Sequence, residues 1–493
     1  MEENILTLND TKYVFNITLS NSSGSIQLPK ILFTALEIEE SFLNWGFRGY
    51  LIYDNNFEQL ERYKEKKDVK NSEFFYFRMD GTDQITIDLT PKMEANTDKS
   101  KKALEHFPSE KMFLKFDGIV YDTEDLTRGG IDNKLKKIYF WDYNYNLALN
   151  SNLRVSTGEY LSNKNSTAKN EEPKDVPNLS NADRSVPNSE IVKYILETKM
   201  NAPVSDDWGM CANKSFYVSP PSSTVLNDLD TLLGGCINPG GYPEYFYFDR
   251  FEREFKLVGY DAIFKGYKDT LRERMRFTDP TNPNNGIVPF RSDGNNTFEI
   301  PSISNILTYK YNKMSGADSI SQINSRLLSG YDAEGGRFLT NIEDAHIENV
   351  RTLYTKLLDG FTQGNRSPLL VLNERKIENY NVIEKYGLQP TSVVMQTIEA
   401  SLMLNDSLVM DTLGLPYRTP GSFVEIYSET DTQGIWEDRF LGTWFLVGVT
   451  HSITTSTYTN KLVAVKPNMS DAFKYPDGTE QAKQKIETKD VNR

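Results

Sequence analysis

Gly442-Thr443-Trp444-Phe445-Leu446-Val447-Gly448-Val449-Thr450-His451-Ser452-Ile453 is a run of aromatic, aliphatic and β-branched residues, and a Thr/Ser turn joins it to Tyr458-Thr459-Asn460-Lys461-Leu462-Val463-Ala464-Val465. Residues of this kind favour a pleated, half-buried surface, so the pair reads as two long antiparallel strands. His451 alternates with Phe445, Val447, Val449 and Ile453, which predicts one shared strand face. Just upstream, Pro420-Gly421 makes a turn into a strand Ser422-Phe423-Val424-Glu425-Ile426-Tyr427. Two further strand-like runs, Thr397–Leu404 and Ser407–Thr412, flank Asn405-Asp406.

The beginning of the chain has the same texture. Alternation from Tyr13 to Leu19 and from Leu32 to Glu40, then Gly49-Tyr50-Leu51-Ile52-Tyr53, predicts strands. Phe74–Met79 leads into Asp80-Gly81, a hairpin signal, with Ile85, Ile87 and Leu89 alternating beyond it. Lys111–Tyr121 and Lys137–Asp142 read as two more strands, and Asn55–Lys66 as a short helix.

Between these ends the pattern is mixed. Ser162–Pro187 is polar and reads as a linker or long loop. Ser189 is placed to cap a helix carrying Ile191, Val192 and Ile195, and Ser223 or Thr224 one carrying Leu226, Leu229, Leu232 and Leu233. Tyr245–Asp249 and Phe255–Val258 predict a hairpin. Asp269–Met275 reads as a charged helix, Ile306–Tyr311 as a strand, and Ile342–Leu358 as an amphipathic helix. The expected division is 1–160 β domain, 161–188 linker, 189–310 mixed α/β domain, 311–390 mixed segment, 391–470 second β domain and 471–493 flexible tail.

Composition narrows the function. A formal charge of -14 and scattered Lys and Arg argue against a phosphate-gripping surface. The N-terminus has acids where a signal peptide needs bases, and no run is long and apolar enough to span a bilayer. Cys211 and Cys236 lack CxxC spacing and read as two reduced core thiols, so no metal is expected. His106, His346 and His451 share no zinc-ligand spacing. There is no GxSxG and no P-loop. Acidic clusters such as Glu37, Glu39 and Glu40 read as solvated face rather than a glycosidase pair. No catalytic residue and no cofactor are predicted.

The closing strands, with Leu413-Gly414-Leu415-Pro416, Thr419-Pro420-Gly421 and the Trp444–Ile453 run, resemble the last tube-like domain of baseplate hub proteins from contractile-tailed phages. They are also similar to the spike proteins of type VI secretion and to phage late-control proteins. Phe33–Tyr53 with Met79-Asp80-Gly81 and Gln84–Ile87 resembles the opening tube-like domain, and Val225–Leu233 with Tyr245–Asp249 and Phe255–Tyr260 the middle region. The resemblance implies an α+β, mainly β chain with two tube-like barrel or sandwich domains and mixed domains inserted. It implies a non-enzymatic homotrimer forming a pseudo-six-fold ring in the virion. That ring would join the tail tube protein to the central spike and meet other baseplate or wedge proteins, with the genome passing through an acidic lumen. Trp444, Phe445 and Tyr458 are then candidates for the subunit interface or for plain core. A receptor-binding adhesin and, more remotely, a cell-wall hydrolase are the competing readings.

Overall fold

A computed structural model describes residues 4–9, 11–22, 24–42, 45–55, 77–92, 111–127, 134–167, 185–211, 214–233, 236, 238, 244–259, 262–263, 270–277, 297–300, 303–313, 328–332, 337–341, 370–371, 406–427 and 441–466. The chain is mainly β. The first module holds β1 (Ile5–Leu8), β2 (Thr11–Asn21), β3 (Gly24–Gln27), β4 (Phe33–Ser41), β5 (Phe47–Asp54), β6 (Gln84–Pro91), β7 (Leu114–Thr127) and β8 (Lys134–Asp142). They form one antiparallel path β1-β2-β6-β7-β8-β5-β4. Strict alternation explains it: Tyr13, Phe15, Ile17 and Leu19 of β2 and Ile85, Ile87 and Leu89 of β6 all enter one core. The turn before β6 follows from its residues. Gly81 has φ +83, Asp80 accepts from the Thr82 amide at 3.0 Å, and buried Asp83 accepts from the Met79 amide at 2.6 Å.

The middle module carries helices α1 (Tyr143–Asn150), α2 (Thr157–Thr167), α3 (Asn188–Tyr194) and α4 (Val225–Leu233). A short ladder joins β9 (Val186–Pro187) to β10 (Lys214–Ser215), and β11 (Glu244–Asp249) pairs with β12 (Glu254–Gly259) as a hairpin. The apolar faces of the helices meet Trp45, Phe246 and Phe255 in a second core.

The last module is a closed barrel. β13 (Arg272–Phe277), with the two-residue β14 (Thr297–Phe298) on its side, lies parallel to β15 (Asn305–Lys313) and to β20 (Phe423–Tyr427). β15 pairs with β19 (Asp406–Leu413), β19 with β22 (Tyr458–Lys466), β22 with β21 (Gly442–Thr454), and β21 returns to β20. Between β15 and β19 in the sequence, β16 (Leu328–Asp332), β17 (Arg337–Asn341) and β18 (Leu370–Val371) form a separate small sheet.

β21 belongs to both β modules. Its first half lines the barrel, where Trp444, Leu446 and Val449 share a core with Leu408, Met410 and Leu462. Its second half runs antiparallel to β4, from Gly448 opposite Ser41 to Thr454 opposite Ala35, and Ile453 and Tyr458 enter the first core. A bulge between Leu446 and Gly448 shifts the alternation, so that Leu446 and Val449 face the same core. At the far rim, the Asn9 amide donates to Ser456 O and its side chain to Tyr458 O, so the hairpin tip sits between β4 and the β1 end of the first sheet.

Several expectations need correction. Asp269–Met275 is not a helix: the described part is strand β13, in which Glu273 and Met275 face inward and the arginines alternate with them. Strand pairing places β13 (Arg272–Phe277) and β15 (Asn305–Lys313) in the same barrel as β19, β20, β21 and β22. The bulge breaks the single strand face proposed for Phe445 to Ile453. Pro187, not Ser189, precedes α3, and Ser189 is buried with its hydroxyl accepting from the Cys211 amide at 2.9 Å. Helix α2 occupies the start of the expected linker, and α1, capped by Asp142, was not foreseen. Thr224 does cap α4, accepting from the Asn227 amide at 3.3 Å. The proposed helix at 342–358, most of that at 55–66, the strand 397–404 and the tail 471–493 lie outside the described residues.

Gly414 donates its amide to Tyr458 O at 2.8 Å, and a Cβ there would lie inside the van der Waals envelope of the Tyr458 ring. Gly24 has open space around the same position. Gly414→Ala is therefore expected to cost about 1–3 kcal/mol or more, and Gly24→Ala far less, in denaturant unfolding of the two variants. Equal costs would contradict the packing described.

Candidate functional site at the junction of the modules

The three modules meet around a continuous chain of buried polar groups. Arg418, fully buried, lies two residues before the Pro420-Gly421 turn. Its Nε and Nη2 grip both oxygens of Glu273, each at 2.8 Å, and both residues are 1% exposed. Nη2 also donates to Ile303 O at 2.9 Å, and Nη1 to Thr412 Oγ1 at 2.6 Å, to Leu413 O, and to Asn460 Oδ1 at 3.0 Å. One planar fork thus ties β13, the turn before β15, the end of β19 and strand β22.

Asn460 passes the connection on. Its Oδ1 accepts from Arg418 and from the Leu415 amide at 2.7 Å, which fixes the orientation of the amide and leaves Nδ2 to donate to His451 Nδ1 at 2.9 Å. His451 Nδ1 is therefore an acceptor, also reached by the Tyr458 hydroxyl at 2.8 Å, and the ring proton sits on Nε2, which donates to Glu40 Oε1 at 2.9 Å. Burial lowers the His451 pKa below 6.5, although Glu40 pulls it upward. The geometry agrees: the ring is neutral and the contact with Glu40 is a hydrogen bond to a carboxylate. Burial pushes Tyr458 well above its ordinary value, so its hydroxyl stays a donor.

Glu40 closes the chain. Its Oε2 lies 3.3 Å from Arg250 Nε, an ion pair that lacks hydrogen-bond alignment. Arg250 stands in the turn of the β11–β12 hairpin. Its guanidinium donates to Phe113 O at 2.8 Å, Pro416 O at 2.6 Å and Arg418 O at 3.2 Å. Glu40 belongs to the first module, Arg250 to the middle one and His451 to the barrel strand, so this cluster reads the position of all three at once.

A cleft of about 400 Å3 opens beside it, lined by Glu40, Asp117, Asp142, Arg250 and Arg253 among others. Its acids are engaged. Asp117 pairs with Arg253 at 2.5 Å and accepts from Thr86 at 3.0 Å. Asp142 caps α1, accepting from the Tyr145 amide at 2.9 Å, and burial raises its pKa to about 6. Among the described residues, one group could hold a metal ion: Cys211, Cys236 and Glu244.

Trp444, Phe445 and Tyr458, the interface candidates, are all fully buried inside one chain. Trp444 fills the barrel, Phe445 stacks edge-on against Phe42 at 5.0 Å, and Tyr458 reaches His451. Within this chain they are core and intramolecular seam. His106 and His346 lie outside the described residues. Sequence reasoning missed Arg418, Glu273, Arg250 and Asn460. The only local signal was an arginine placed next to a Thr-Pro-Gly turn in an otherwise apolar region.

No family model matches this chain, and no curated protein matches it. Solved structures do resemble it. The 43 kDa tail protein of prophage MuSo2 from Shewanella oneidensis is 11% identical with a TM-score of 0.45, over 92% of this chain and 100% of that one. A tail protein from Neisseria meningitidis MC58 is 9% identical at 0.46, over 94% and 97%. An E. coli component of the type VI secretion system, itself structurally similar to T4 tail proteins gp27 and gp5, is 8% identical at 0.41, over 93% and 78%. Scores and identities at this level establish neither a shared role nor common descent.

Two outcomes test the junction. Removing one partner of a buried ion pair strands the other, so Arg418→Met is expected to cost about 3–5 kcal/mol, and the double change Arg418→Met with Glu273→Leu to recover part of that loss. A neutral buried histidine stabilises fully above its ordinary pKa and progressively less as pH falls below it. The stability gap between the wild type and His451→Gln, from urea unfolding, should therefore narrow between about pH 7.5 and about pH 5.5. Asp142 acts with the opposite sign, since its raised pKa favours the fold as pH falls through about 6, and it cancels in this comparison.

Proposed function

We propose that this chain is a structural baseplate hub subunit of a phage tail. Three copies would form a ring of six sheet modules between the six-fold tail tube and a three-fold spike. The observation that carries the reading is the fusion of two curved β modules within one polypeptide through the β4–β21 ladder. A trimer of such chains presents six modules, and closed symmetry then satisfies neighbours on both sides. The buried junction supports the same reading. A ring that transmits force needs its modules held at a fixed angle, and a buried hydrogen-bonded polar chain is intolerant of small displacements.

The net charge of -14 suits a lumen through which a polyanion slides without adhering. The role proposed is non-catalytic. The carboxylates of the cleft are each committed to a cation, a helix cap or a hydroxyl, which leaves no pair poised for acid–base work. The partners proposed are a second and third copy of this chain, a tail tube protein, a spike protein and further baseplate or wedge components, with the virion as location.

Light scattering on the purified chain of 56.5 kDa, alone and mixed with purified tube or spike protein, is expected to show a three-chain species, alone or on mixing. A monomer that binds neither partner would refute the proposal.

A further inference from the structure

The middle module brings together three groups from separate stretches of sequence. Cys211 follows the 205–209 segment, which lies along β12: the Ser205 amide donates to Phe255 O and the Gly209 amide to Leu257 O. Cys236 comes just after α4, with its amide bonded to Leu233 O at 3.0 Å. Glu244 opens β11, and its amide donates to Cys236 O at 3.2 Å. The two sulfurs and a Glu244 carboxylate oxygen all lie within 4.8 Å of one another, and all three residues are buried. Neither cysteine forms a disulfide. Gly209 is part of the construction, because a Cβ there would come within 2.5 Å of Glu244 Oε1.

We propose that Cys211, Cys236 and Glu244 form a structural zinc site. Two thiolates and one carboxylate are the donor set that a borderline-soft, tetrahedral divalent ion takes, with the remaining position open to water. The balance is simple: Zn2+ displaces one proton from each thiol, both protons leave to solvent, and no electron moves. A disulfide would account for two of the three groups, whereas a divalent ion accounts for all of them. The ion would pin the end of α4, the 205–211 segment and the start of the β11–β12 hairpin to one point. That hairpin carries Arg250 in its turn, so the metal would hold the base of the arm that reaches the module junction. CxxC-type spacing could not have announced such a site, since its ligands lie 25 and 8 residues apart and close only through tertiary contacts.

The full-length chain, expressed with zinc in the medium and purified without chelator, is expected to contain about one zinc per chain by elemental analysis. Cobalt added to the metal-stripped chain should give the near-ultraviolet charge-transfer absorption of thiolate-bound Co2+. Cys236→Ser should abolish both signals. Should that variant fail to fold, Glu244→Gln, which keeps the shape of the side chain, should weaken metal retention severalfold while the cobalt–thiolate absorption persists in reduced amount. Zinc-free protein with no cobalt absorption, or a mass two hydrogens lighter that reveals a Cys211–Cys236 disulfide, would overturn the proposal. The site is independent of the hub reading, because its metal content is measured on the isolated chain.

Discussion

The run of buried polar groups from Glu273 through Arg418, Asn460, His451 and Glu40 to Arg250 constrains the whole molecule. Charges taken out of water are tolerated only when their partners are held in good geometry, and here the partners come from every module. A purely apolar seam of similar volume would allow sliding at little cost, since hydrophobic contact has no direction. A bidentate guanidinium and a histidine fixed in one tautomer do not.

The strands were legible wherever the alternation was clean. β2, β6, β20, β21 and β22 follow from residue type and period, and the turns at Asp80-Gly81 and Pro420-Gly421 from the positive φ each glycine adopts. β13 was misread because Asp269, Arg272, Glu273 and Arg274 looked like the charged face of a solvated helix. The alternation Arg-Glu-Arg-Met-Arg-Phe is a strand period, and the charged inward residue has a partner 145 residues away. Such pairing is invisible locally. The same holds for Glu40, which looked like one of three exposed acids and is buried because β21 lies beside it. Cys211 and Cys236 were read on spacing alone, a criterion that works for ligands on one loop and fails for groups gathered by a fold, and Glu244 drew no notice in the sequence.

Trp444, Phe445 and Tyr458 teach a related lesson. Aromatic residues are enriched both in cores and at interfaces, so composition could not choose between the two. Burial within the chain distinguishes them: Trp444 lies in the barrel core, Phe445 packs against Phe42, and Tyr458 enters the first core beside His451.

That double membership of β21 has a consequence for synthesis. A ribosome releases the N-terminal sheet long before the hairpin that covers its gap exists, with 411 residues separating Glu40 from His451. At about 5–20 residues per second, the outer edge of β4 waits roughly twenty to eighty seconds for its neighbour. An unpaired edge of that length is a template for stray pairing with other nascent chains. The glutamates at 37, 39 and 40 lie along this edge, so they serve first as gatekeepers against aggregation, and only later does Glu40 become a buried anchor.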